Sequence, residues 1–161
     1  MKILIYPDLF LKRKSTSVKV FNKNLSQICQ KMFESMYKQN GVGLSATQVG
    51  LPHSIVVVNP TKKASDEIVL INPLIIKRSE ETCEEEEGCL SVPNLSAKIK
   101  RFVKITCQSF NLEGKKTVLD FESLLSRIIQ HEIDHLNGIL FIDRLPEDKR
   151  KLLLQNYLPR K

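Results

Sequence analysis

No stretch of about 18 apolar residues occurs in these 161 residues, so the chain is not expected to span a membrane. No export signal is expected either. The opening "MKILIYPDLFLKRK" has an early lysine and some apolar side chains, but Pro7 and Asp8 interrupt it and no small-residue cleavage site follows. Cysteines number only four: Cys29, Cys83, Cys89 and Cys107. Without an export signal, reduced cytoplasmic thiols are expected rather than disulfides, and a thiol near other ligands becomes a metal candidate. Histidine is scarcer still, at three residues. Internal repeats and long linkers are absent, so residues 1–161 read as one domain, long enough to bury a core.

What is present is a soluble, globular balance, with 42% hydrophobic and 27% charged residues and a formal net charge of +7. The charge is uneven. Residues 1–40 carry eight Lys/Arg against Asp8 and Glu34, and residues 145–161 carry five against Glu147 and Asp148. Between them, "EETCEEEEG" sets six glutamates within Glu80–Glu87. A basic face can meet nucleic acid or the ribosome, or it can simply be solvated.

Apolar positions Leu25, Ile28, Cys29, Met32, Phe33, Met36 and Tyr37 recur at helical spacing, with Asn24 as candidate cap and Gly41 as stop. A glycine-punctuated loop, "GVGLSATQVGLP", follows. "SIVVVN" (54–59) and "EIVLINPLII" (67–76) are β-branched and read as strands. "AKIKRFVKITCQSF" alternates and reads as one half-buried strand, which makes Cys107 a core residue. "NLEGKK" turns it into a short strand ending near Asp120. A second helix is expected from about Phe121 to Asn137, stopped by Gly138. A third, basic helix is expected over about 146–158. The order implies an α+β domain with an antiparallel sheet around a central helix.

That second helix carries "QHEIDHLNG". At about 100° per residue, Phe121, Leu124, Leu125, Ile128, Ile129 and Leu136 form one apolar face. His131, Glu132 and His135 fall inside it, and Asp134 falls outside. A carboxylate on a buried stripe is costly unless it is paired or working. Two histidines at i and i+4 can share one cation.

A catalytic divalent ion usually has three protein ligands and an open position. Phe141 stands where one protease class places a third histidine, and it cannot ligate. His53 follows Pro52 in an expected surface turn. Glu147 opens a helix, where the dipole already explains a carboxylate. Cys29 lies on the core stripe, and the glutamates around Cys83 oppose thiolate formation. Cys89, behind Gly88 in "EEGCLSVP", is the remaining choice.

"GVGLSATQ" (41–48), "EGCLS" (87–91) and "HEIDH" (131–135), in this order, resemble the peptide deformylase family. Its motifs are G-x-G-L-A-A-x-Q, E-G-C-L-S and H-E-x-x-H, and the likeness covers about residues 3–145. The resemblance implies a hydrolase that removes the formyl group from the N-terminal methionine of new bacterial or organellar proteins. It implies Cys89, His131 and His135 as metal ligands and Glu132 as general base and acid. Gln48 and the backbone N–H of Leu90 would stabilise the oxyanion. The usual metal is Fe2+, and Zn2+, Ni2+ or Co2+ can replace it. Ser45 departs from the family's alanine, which places the packing of that loop in question.

Leu124 and Ile128, just before His131 on its face, are expected to form an apolar wall for an unbranched methionine side chain. Val42 and Gly43 are expected to approach from the loop, with Gly43 pairing to an extended peptide. Arg101 is placed at the site rim or in a salt bridge to the Glu80–Glu87 run. The expected partners are nascent formyl-methionyl peptides and, through a basic face or the C-terminal helix, the ribosome; neither a membrane nor direct DNA binding is expected. Two readings compete: a metallo-endopeptidase, which needs a long cleft, and a closed structural zinc module on a basic RNA-binding protein, for which Glu132 has no use.

Overall fold

The computed structural model describes residues 1–155 and 157. Helix α1 spans Lys23–Lys38 and α2 spans Ser123–Leu136. Strands β1 (Gly43–Ser45), β2 (Ile55–Val58), β3 (Ile68–Arg78), β6 (Lys104–Phe110) and β7 (Lys116–Glu122) form an antiparallel sheet in the order β1-β2-β3-β6-β7. Strands β4 (Thr82–Cys89) and β5 (Val92–Phe102) form a separate antiparallel hairpin. A short α3, Glu147–Leu154, follows.

The "IVVV" run shows why the sheet sits where it does. All four residues of β2 are fully buried. Ile55 and Val57 pack with Leu25, Cys29, Met32 and Met36 of α1. Val56 and Val58 point the other way and pack with Ile128, Ile129 and Leu136 of α2. A strand covered on both faces needs an unbroken apolar run rather than alternation. Each such side chain contributes roughly 1.5–3 kcal/mol by leaving water.

Several expectations need correction. The cap of α1 is Asn22, not Asn24. The Asn22 Oδ1 accepts from the Leu25 N–H at 3.1 Å, which satisfies a free donor of the first turn. The left-handed residue after α1 is Asn40 (φ 55°), so Gly41 does not itself make the turn. The single strand expected over "AKIKRFVKITCQSF" is two. It breaks at Val103, whose N–H bonds to the Glu81 carbonyl and whose carbonyl accepts from Ser123 N–H. Its first half then pairs with β4 and its second with β3 and β7. Helix α2 begins at Ser123, because Phe121 still belongs to β7. For the C-terminal helix expected over 146–158, the described part ends at Leu154, and residues 156 and 158 lie outside the described residues. Among the described residues no helix is long and apolar enough to cross a membrane.

Candidate active site

The buried stripe of α2 does carry His131, Glu132 and His135, exposed by only 8%, 3% and 1%. Two neighbours differ from expectation. Asp134 is buried too, because Arg101 and Arg144 reach its carboxylate. Leu124 is exposed rather than part of the core face; the first turn of α2 overhangs a pocket that Leu124 helps to line.

Cys89 arrives from the hairpin. The register between β4 and β5 slips between Gly88 and Cys89, so that Cys89 faces Val92 in place of a regular partner. Such a slip re-aims a side chain at the end of a strand. Its Sγ lies 3.2 Å from His135 Nε2, which in turn lies 3.2 Å from His131 Nε2. The donor atoms of all three residues lie within 4.8 Å of one another. Metal–nitrogen bonds of about 2.0–2.1 Å and a metal–sulfur bond of about 2.3 Å, at tetrahedral angles, separate ligand atoms by about 3.3–3.6 Å. The three side chains therefore fit a divalent ion with one position left over.

The charge environment points the same way. Burial and the neighbouring His131 hold His135 well below its ordinary pKa, which keeps a lone pair available. Burial opposes protonation of His131, but the hydrogen bonds it can donate to Cys89 and Glu87 hold it well above the ordinary value. A positive charge is thus favoured among these groups, and a bound cation would displace the proton. The other cysteines are unsuited. Cys29 and Cys107 are buried, and burial pushes both thiols up to about 11. Cys83 is exposed and hydrogen-bonded to Glu85. Phe141 is buried and stacks on His131, with ring centroids 6.5 Å apart. Glu147 is exposed and paired with Lys151.

A pocket of about 490 Å³ opens beside these groups. Val42, Gly43, Gln48, Cys89, Leu90, Leu124, Ile128, His131 and Glu132 all line it. Gly43 lies so close that an added Cβ would meet Glu132 Oε1 at 2.6 Å and Ile128 Cγ2 at 2.7 Å. The carboxyl of Glu132 is raised to about 7 by burial, and its Oε2 has no hydrogen-bond partner among the described residues. Gln48 is held by its oxygen, which accepts from the Ser45 N–H at 2.9 Å. Its amide nitrogen is left to point at Ser91 Oγ (3.2 Å) and Cys89 Sγ (3.6 Å).

The chain matches the polypeptide deformylase family over residues 1–151. It belongs to that family. A peptide deformylase of Buchnera aphidicola subsp. Acyrthosiphon pisum (strain Tuc7) is 45% identical over 157 residues, covering 98% of this chain and 90% of that protein. The crystal structure of a peptide deformylase from Legionella pneumophila superposes with a TM-score of 0.92 at 36% identity, covering 97% and 92% of the two chains. That of the Plasmodium falciparum peptide deformylase gives 0.88 at 37%, covering 97% and 96%. The deformylase family is metal-dependent, in keeping with the Cys/His/His group.

Within this deformylase fold, Ser45 packs inside its loop. It is fully buried, and its hydroxyl lies 3.1 Å from both Gln48 Oε1 and Thr47 Oγ1. Of the two places expected for Arg101, the structure gives the salt bridge to the acidic run and corrects the rim: it lies 3% exposed, outside the pocket lining, bonded to Glu87 and Asp134. An arginine pointing inward beside Ile99 meets buried carboxylates there rather than substrate. Residues missed in the sequence were Ser91, Glu87, Arg127 and Asp134. For Glu87 the signal was available: in a strand, Glu85 and Glu87 share one face and Glu84 and Glu86 the other.

Proposed function

We infer that this chain hydrolyses the formamide of N-terminal formyl-methionine on new polypeptides, giving formate and a free amine. The observation that carries the reading is the meeting of Cys89, His131 and His135 beside a pocket on whose wall Cys89, His131 and Glu132 stand, with Glu132 Oε2 unpartnered among the described residues. Cys89, His131 and His135 would hold a divalent ion, which would supply Lewis acidity and lower the pKa of water toward neutrality. Glu132 takes the proton from the attacking water and later gives it to the leaving amine; a carboxyl raised to about 7 is matched to both tasks. The Gln48 amide, oriented by Ser45, and the Leu90 N–H donate to the oxygen on which charge develops.

The pocket wall of Val42, Leu124 and Ile128 suits an unbranched methionine side chain. β1 is the edge strand of its sheet, with β2 on one side only, so Gly43 has an edge to offer an extended peptide. Gly43→Ala is expected to lower kcat/KM about tenfold or more, because the new methyl displaces the Glu132 carboxyl and Ile128. Parent-like kinetics with retained structure would count against this placement of Glu132.

Fe2+ is the proposed native ion, with Zn2+, Ni2+ or Co2+ able to replace it. Residues 1–161 act as one catalytic domain in the cytoplasm or an organelle-like compartment. The exposed Lys98, Lys100 and Lys149, beside an apolar groove along α3, support contact with the ribosome.

The deciding experiment uses anaerobically purified protein on formyl-Met-Ala-Ser and acetyl-Met-Ala-Ser. Formate release is expected, with acetate release at least about a hundredfold slower, since the pocket is shaped at the reacting carbon by fixed groups. Comparable rates on both, or cleavage of internal peptide bonds, would overturn the reading.

A further inference from the structure

The three proposed ligands come from two separate pieces of structure. Cys89 ends β4 of the hairpin, whereas His131 and His135 stand on α2. Something must hold these pieces in register to within a few tenths of an ångström, since a misplacement of about 1 Å can cost 10²-fold.

Arg101, on β5, stands where that register is set. Its Nε and Nη2 donate side-on to Glu87 Oε1 and Oε2, each at 2.9 Å. Glu87 lies two residues before Cys89, and its Oε2 also lies 3.1 Å from His131 Nδ1. The remaining edge of the guanidinium, Nη1, donates to Asp134 Oδ2 at 2.5 Å. Asp134 immediately precedes His135 in the chain. One planar cation thus spans the carboxylate that orients one histidine and the carboxylate beside the other. All three side chains are buried, with Arg101 at 3%, Glu87 at 6% and Asp134 at 6% exposure.

We propose that Arg101 is the positioning residue of the metal centre, a clamp that holds the Cys89 hairpin against the histidine helix. The proposal rests on the reading of Cys89, His131 and His135 as ligands. Arg101 touches neither substrate nor reacting atoms. It acts through Glu87, which accepts the Nδ1 proton of His131 and so leaves Nε2 to ligate, and through Asp134, which fixes the turn carrying His135. The fork geometry explains the residue type. Lysine keeps the charge but offers a single point of donation, so it cannot bridge both carboxylates with the planar, bidentate pattern.

Arg127 is the natural rival. It also ties α2 to the hairpin, donating to Glu87 Oε1 at 2.7 Å and to the carbonyls of Ile99 and Cys83. It does so one turn before His131, and its bonds run to the hairpin and Glu87 rather than to Asp134.

The test compares Arg101→Lys, Arg127→Lys and Asp134→Asn with the parent, each loaded with Co2+. Chelator competition gives metal affinity, the visible Co2+ absorption reports ligand geometry, and thermal melting reports fold. Arg101→Lys is expected to weaken metal binding by about 10–100-fold, to alter the Co2+ absorption and to lower kcat with KM little changed. Asp134→Asn keeps the Glu87 fork and weakens the pairs that Asp134 makes with Arg101 and with Arg144; a smaller change in the same spectrum is expected, and a parent-like spectrum would count against the clamp. If Arg101→Lys does not fold, Asp134→Asn carries the test alone. Parent-like affinity and spectrum in Arg101→Lys, whatever its melting temperature, would overturn the proposal. So would loss of metal in Arg127→Lys with metal kept in Arg101→Lys. A protein that binds Co2+ with the expected clamp dependence yet releases no formate would count against the proposed function and leave the clamp standing.

Discussion

Glu132→Gln is expected to yield a folded protein that holds its metal and has lost at least about 10²–10⁴-fold in formate release. The glutamine is nearly isosteric, so the contacts with Gly43 and Ile128 should survive. What it lacks is the ability to accept a proton from water and pass one to the leaving amine. The stability should not fall. Glu132 is 3% exposed and one of its oxygens has no partner, so the parent carries the cost of a buried carboxyl that the amide does not. Metal content, melting temperature and formate release are measured on one preparation. Activity within tenfold of the parent, with metal retained, would show that the proton travels by another group.

Cys89→Ser is expected to lose metal almost completely, while Cys83→Ser keeps both metal and activity. A neutral hydroxyl is a poor replacement for a thiolate, and only two imidazoles would remain. Cys89 Sγ also accepts from the Ser91 N–H at 3.4 Å and from the Gln48 amide at 3.6 Å, so its loss disturbs Gln48 as well. Cys83 is exposed; its thiol donates only to the Glu85 carboxylate, a bond that a serine hydroxyl can also make, and the carbonyl that Arg127 uses is kept in the variant. The reverse result, metal lost from Cys83→Ser and kept in Cys89→Ser, would show that the hairpin supplies a different ligand. Inductively coupled plasma analysis after gel filtration decides between them.

How far these residues could be read from the sequence differs by the range of the interaction. The histidine pair on α2 was legible because one helix places i and i+4 together and the apolar stripe shows which side is buried. Cys89 was legible by elimination and by motif. The loop glycine of "GVG" could be placed near the site, but the 2.6 Å approach to Glu132 belongs to the packed fold. The strand β4 was hidden by its glutamates, which resemble a solvated tract until β5 is known to pair with it.

Local order along the chain thus determined the α1 stripe, the doubly covered β2, the metal helix and the chemistry that two histidines, a thiol and a carboxylate can perform. Each of these depends on residues a few positions apart, where backbone periodicity sets the geometry. Tertiary structure alone decided where the buried charges pair. Asp134 falls outside the apolar face on the helical wheel, and Arg101 could stand at the rim or against the acidic run, yet Arg101 bonds both Asp134 and Glu87 in the interior. They do so because the chain breaks at Val103 and sends β5 to the hairpin rather than along β6. Burying an arginine is costly unless carboxylates from other segments come to meet it, and no pattern within its own strand says which ones will.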